Sequence, residues 1–119
     1  FRGFLFKAMA ENNLKSAIIV SSIAFGIGHF VNLINGSGAE LIPNICQVVS
    51  AIAIGFLFVA LFHKTKSLWA PIIAHAVINS LSAFAVDITN TQQIITSAVI
   101  SVIAVIYGMF IMIVVSRNA

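Results

Sequence analysis

The sequence predicts an all-α fold: a polytopic transmembrane helical bundle, with four full spans and the end of a fifth helix. Three observations predict it. Apolar residues fill 61% of the 119 positions and charged residues 8%, whereas a soluble domain carries roughly a quarter charged residues to solvate its surface. Mean hydropathy is +1.12, which leaves too little polar surface to clothe a globule in water. Four apolar stretches without Asp, Glu, Lys or Arg also reach the length of about 20 residues that a spanning helix needs. The same composition excludes a disordered chain, and the lone Cys46 excludes a disulfide scaffold. A net charge of +3 with no basic stripe offers no footprint for nucleic acid. The partner these features imply is the lipid bilayer, and the chain reads as a single membrane domain over residues 1–119.

The elements follow in order. Residues 1–10 are apolar but too short to span, and the polar turn Glu11-Asn12-Asn13-Leu14-Lys15 closes them. They read as the last half of a helix that begins ahead of Phe1, so the domain is expected to be N-terminally truncated. There is neither an initiator Met nor a basic n-region, so this start is not a signal peptide. The first full span covers 16–34 and stops at Asn35-Gly36-Ser37-Gly38. The second covers 44–62 and stops at His63-Lys64-Thr65-Lys66. The third covers 67–86 and stops at Asp87-Ile88-Thr89-Asn90-Thr91, and the fourth covers 93–115. Pro71 leaves the carbonyl of Ser67 without its helical donor, which predicts either a kink or a shaped pocket. Small residues at Ser22/Gly26, Ala51/Gly55 and Ala70/Ala74 provide for close helix contacts.

Charge sets the expected orientation. Lys7, Lys15, Lys64, Lys66 and Arg117 lie at loop ends that alternate spans bring to one side, and Glu40 and Asp87 lie in the loops of the other. The positive-inside rule then puts loops 11–15 and 63–66 and the C-terminus in the cytoplasm of a cell membrane. Trp69 suits the interfacial belt on that side.

Polar side chains inside spans are costly to bury, so they are where chemistry is sought. His29 follows Phe25 by four residues, and Asn79 follows His75 by four, so each pair shares a helix face. At about 1.5 Å of rise per residue, His29 lies roughly 20 Å from the start of its span, Asn79 roughly 18 Å and His75 roughly 12 Å. These spans run in the same direction, so their polar groups converge in depth. Arg2 lies roughly 15 Å deep when counted back from the turn. A lone histidine in a span is as often a packing residue, and it is the agreement in depth that favours a site. His63 reads as a solvated edge residue, while Phe25, Phe30, Met109-Phe110, Ser80 and Ser82 read as packing. The serines have no acid–base partner at triad spacing, and the chain has no H-E-x-x-H, no paired cysteines and no glycine-rich phosphate loop.

Three segments together resemble a known family: Phe1-Arg2-Gly3-Phe4-Leu5-Phe6; Phe25-Gly26-Ile27-Gly28-His29; and Leu68-Trp69-Ala70-Pro71-Ile72-Ile73-Ala74-His75-Ala76-Val77-Ile78-Asn79. They are similar to the CAAX protease and bacteriocin-processing family of intramembrane endopeptidases, also called Abi or lysostaphin-resistance-like. Its pattern is Glu-Glu-x-x-x-Arg, then Phe-x-x-x-His, then His-x-x-x-Asn two helices later. Arg2 matches the arginine of the first motif, whose glutamates fall ahead of Phe1, so the chain as it stands is expected to be inactive.

The resemblance implies an endopeptidase that cleaves membrane-associated peptides or prenylated proteins, in a bacterial or archaeal membrane. A glutamate and His29 would activate water. His75 and Asn79 would donate to the oxyanion, and Arg2 would orient the glutamate. Phe25 belongs to the second motif as a packing or substrate-contact residue. No cofactor is favoured, but zinc held by His29, His75 and a glutamate stays open. Asn79 is a natural oxyanion donor and a poor zinc ligand, which tilts the reading to the metal-free form. Two other classes stay open: a b-type haem between His29 and His75 in an electron-transfer subunit, and a non-catalytic bacteriocin-immunity protein of the same fold.

Overall fold

The structure, a computed structural model, describes residues 2–35, 40–83 and 89–117, without the side chains of residues 2, 32, 33, 82, 83, 115 and 116. Within them are five helices: α1 (Arg2–Ala10), α2 (Leu14–Ile34), α3 (Leu41–Thr65), α4 (Trp69–Ala83) and α5 (Asn90–Arg117). Helices α2, α3 and α5 are long and apolar enough to cross a membrane. The 20-residue span expected over 67–86 is described only as the 15-residue α4, because residues 84–88 lie outside the described residues. Asp87 and the Gly36-Ser37-Gly38 turn lie outside them too. Large aliphatic side chains such as Ile27, Ile72 and Ile106 stand exposed on the bundle's outer surface, as lipid contact requires.

Each helix end has a local cause. The backbone N–H of Asn13 closes α1 on the Met9 carbonyl at 2.9 Å. Its side chain then opens α2, with Oδ1 accepting the Ser16 N–H at 3.1 Å, an N-cap that sequence reading passed over. Pro43 lies in the first turn of α3, where its missing N–H costs no helical bond. That helix runs on through His63 to Thr65, past the expected boundary, until Lys66 turns left-handed at φ 55° and donates to the Phe62 carbonyl. Pro71 is the third residue of α4, so it causes no kink. The Ser67 carbonyl that it leaves free accepts the Thr65 hydroxyl at 3.2 Å. Helix α5 opens on a reciprocal capping box that the sequence spells as Thr89-x-x-Gln92: the Gln92 N–H donates to the Thr89 hydroxyl, and the Thr89 N–H to Gln92 Oε1.

Helix α3 is the central post. It packs against α2, α4 and α5, while α1 packs on α2. The α2–α3 seam is the expected small-residue contact. A Cβ built on Gly55 would stand 3.0 Å from the Phe25 Cβ and 3.1 Å from the Ser22 carbonyl oxygen, so the two backbones nearly touch. The Ala51, Phe58, Phe25 cluster fills the seam, and Ala74 and Ile78 of α4 pack against it. Phe6, Ala17 and Val59 form a second cluster where α1 meets α2 and α3. Phe30, Met109 and Phe110 are exposed, so they do not belong to the interior clusters.

Gly55→Val should therefore separate α2 from α3 and destabilise the bundle by about 1–3 kcal/mol. Gly28→Ala should be neutral or slightly stabilising, because no atom lies within 4 Å of its added Cβ. Thermal unfolding in mild detergent reads both. Equal melting temperatures for the two variants would refute the close-contact account.

Candidate active site

Helices α2, α3 and α4 bring three of the expected residues to one cavity. His29, His75 and Asn79 all line a chamber of about 450 Å³, together with Phe25 and Phe58. The connecting group is the Phe25 ring, buried at 7% exposure. Its centroid lies 5.0 Å from that of His29 and 5.4 Å from that of His75, in edge-to-face geometry. Phe58 stacks on His75 at 5.6 Å and 19°, and also meets Phe25 edge-on at 5.6 Å, so the three rings form a triangle. The two phenyl rings thus fix the His75 plane, an arrangement in the range that aromatic pairs prefer.

His29 is oriented by its own helix. Its Nδ1 lies 3.1 Å from the Phe25 carbonyl oxygen one turn earlier. A carbonyl only accepts, so the neutral imidazole carries its proton on Nδ1 and leaves Nε2 as the basic nitrogen. The carbonyl one turn below, sharing its oxygen between the helical bond and this ring, thereby selects the tautomer suited to a general base.

Asn79 and His75 also line a second cavity of about 450 Å³, bounded by Gly3 and Phe6 of α1, Phe62 of α3 and Pro71 and Ile72 of α4. Its walls are apolar apart from those two residues and Ser21, whose hydroxyl is buried without a hydrogen-bond partner. Arg2 opens α1, and its side chain lies outside the described residues; the next residue, Gly3, borders this cavity. Among the described residues no three His, Cys, Asp or Glu side chains gather as a metal site. A zinc ion would therefore need a ligand beyond His29 and His75, so no step is routed through one.

Of the remaining candidates, Ser80 donates to the Ala76 carbonyl at 2.8 Å and faces outward. The side chain of Ser82 lies outside the described residues. His63 sits in the last turn of α3, edge-on to Phe6 and 3.5 Å from the Lys66 ammonium. It borders a separate cavity with Lys7, Glu11, Lys66 and Trp69, so the α1–α2 and α3–α4 turns share one end of the bundle. Sequence reading missed Gln47 and Ser50 of α3 and Gln93, Thr96 and Ser97 of α5, all of which line the chamber with His29. Their signal was present: polar residues at helical spacing inside otherwise apolar spans.

Comparison with known proteins fits this arrangement. Residues 1–81 match the family described as type II CAAX prenyl endopeptidase Rce1-like. The chain belongs to that family. A protein of Bacillus subtilis (strain 168), named "Putative membrane peptidase YdiL", is 32% identical over 81 residues, which cover 67% of this chain and 28% of that protein. The chain thus spans little more than a quarter of this relative's length. No solved structure gives a significant match. Phe25, His29, His75 and Asn79, the site candidates that line the chamber, fall inside the matched segment, and α5 falls beyond it.

Selective ¹⁵N labelling of histidine should show His29 protonated at Nδ1 and bare at Nε2 when neutral. The reverse tautomer would break the link between the Phe25 carbonyl and the base. Phe25→Ala should cost about 3–5 kcal/mol, the usual range for emptying a buried phenylalanine site. Chemical denaturation in detergent micelles measures it, and a loss below 1 kcal/mol would show that the ring is not what seats the two imidazoles.

Proposed function

We propose that this chain forms the catalytic core of an intramembrane endopeptidase that acts by a metal-free, water-activating mechanism. The observation that carries the proposal is the single cavity bordered by His29, His75 and Asn79. His29 Nε2, working with a glutamate supplied ahead of Phe1 by the first family motif, takes a proton from a water as its oxygen attacks the scissile carbonyl. The carbonyl oxygen becomes an oxyanion, which His75 and the Asn79 amide stabilise as donors. Collapse of the tetrahedral intermediate breaks the C–N bond, and the proton held by the base passes to the leaving amine. Arg2 positions the glutamate through a charge-assisted hydrogen bond. The substrate is a membrane-associated peptide or a prenylated protein, and Phe25 packs the imidazoles without contacting it.

The basic end of the bundle, with loops 11–15 and 63–66 and the C-terminus, faces the cytoplasm of a bacterial or archaeal membrane. That places the chamber nearer the opposite face, which favours membrane or exported peptides over cytosolic prenylated termini. Two alternatives have less support. A haem between His29 and His75 conflicts with the phenyl ring that both imidazoles already contact. A non-catalytic immunity role leaves the tautomer of His29 and its shared cavity without a use.

In the full-length natural protein, His29→Ala and His75→Ala should each lower kcat by about a hundredfold or more while the protein stays folded. Normal turnover by either variant would remove that residue from the mechanism. Asn79→Asp replaces an N–H donor by an acceptor that is negative when ionised. It should lose about 2.7–4 kcal/mol of transition-state stabilisation, the scale of one oxyanion donor. Activity near wild type that rises with added zinc would instead favour a metal site, because carboxylate oxygen binds zinc well.

A further inference from the structure

The two cavities that meet at His75 and Asn79 differ in chemistry. One is apolar, walled by Phe6, Phe62, Pro71 and Ile72. The other adds Gln47, Ser50, Gln93, Thr96 and Ser97, all polar and none charged. The hydroxyl of Ser50 is engaged locally, donating to the Gln47 carbonyl at 3.0 Å. The two glutamine carboxamides, by contrast, make no hydrogen bond to any described residue. Both carboxamides are part-exposed near the ends of their spans and border the same chamber, where their donors and acceptors can meet a ligand.

We infer that the polar chamber holds an extended, uncharged stretch of substrate backbone on one side of the scissile bond, and that Gln47 and Gln93 are the residues that bind it. A carboxamide offers both a donor and an acceptor, which is what a peptide group offers in return. A peptide unwound for cleavage has lost its helical bonds, and within the bilayer it must find replacements from protein. The volume of about 450 Å³ falls within the range of ligand pockets. Because no Asp, Glu, Lys or Arg among the described residues lines the chamber, a charged substrate residue beside Gln47 and Gln93 would find no counter-charge there and be disfavoured. Gln93 lies beyond the segment matched to the family, so its part in the site comes from the fold of this chain. The inference rests on the peptidase reading for the bond that is cut.

The test uses the full-length natural protein in detergent, with Gln47→Leu and Gln93→Leu; leucine suits a membrane helix, so folding is preserved. The probe is a quenched fluorescent peptide of uncharged residues, alongside a copy whose backbone amides on one side of the cleaved bond are N-methylated. Each variant should raise KM for the first peptide roughly tenfold, the worth of one buried hydrogen bond, with kcat within about twofold. N-methylation on the side that enters the polar chamber should raise KM for the wild type but add little in the variants. An unchanged KM, or a fall in kcat alone, would overturn the assignment. Binding of an uncleavable copy with a reduced scissile amide, read by fluorescence anisotropy, separates the two claims. Absence of cleavage by the wild type would count against the peptidase reading, whereas equal affinities of wild type and glutamine variants would overturn the role of the chamber.

Discussion

The near-contact of α2 with α3 at Gly55 is the constraint on which the rest of the molecule depends. Lipid tails are as apolar as leucine, so helices in a bilayer are held by close van der Waals fit and not by water exclusion. With no side chain on Gly55, the Ser22 backbone approaches α3 directly, and Phe25 one turn further on is pressed against Phe58. His75 then packs against both phenyl rings, which couples α4 to a seam it scarcely shares through its backbone. His29 follows by helical periodicity alone, bonded to the carbonyl of the phenylalanine that the seam has fixed. One missing methyl group therefore sets the position of two imidazoles on different helices.

Much of this was legible in the chain. Helix number followed from charge-free lengths, and small residues four apart marked Ser22 and Gly55 as places for close contact, though not as each other's partners. The convergence of His29, His75 and Asn79 followed from counting rise along parallel spans. The boundaries were less legible, for reasons of capping chemistry. His63 and Lys64 look like a loop because they are polar, yet α3 continues through them until Lys66 adopts a left-handed turn. Pro71 looks like a kink when its span is started at Ser67, but the helix begins at Trp69 and the proline falls in its first turn. The polar lining from α3 and α5 was overlooked because glutamine and serine at span margins resemble boundary residues. Only the packing of α5 on α3 turns Gln47 and Gln93 toward a common space.

Membership of the Rce1-like family and the geometry of the chamber speak to different things. Family membership concerns descent and the general class of membrane peptidase. The chamber concerns which atoms of this chain meet, and it is the chamber alone that brings His29, His75 and Asn79 together. The division of the space into an apolar and a polar half has a separate origin. It follows position along α4: Pro71 and Ile72 near its start border the apolar cavity with α1, Ile78 two turns on borders the polar one with α5, and His75 and Asn79 border both.

The capping box at Thr89 and Gln92 bears on how the molecule is assembled. Helix α5 follows the other four in chain order, and it supplies one wall of the polar chamber. Until it arrives, Gln47 and the neighbouring polar groups of α3 face a bilayer that cannot solvate them. The capping box lets the start of α5 satisfy two of its own N–H groups, at Thr89 and Gln92, before it has any neighbour. The polar chamber thus exists only once α5 is docked on α3, which ties the completeness of the site to that one helix–helix contact.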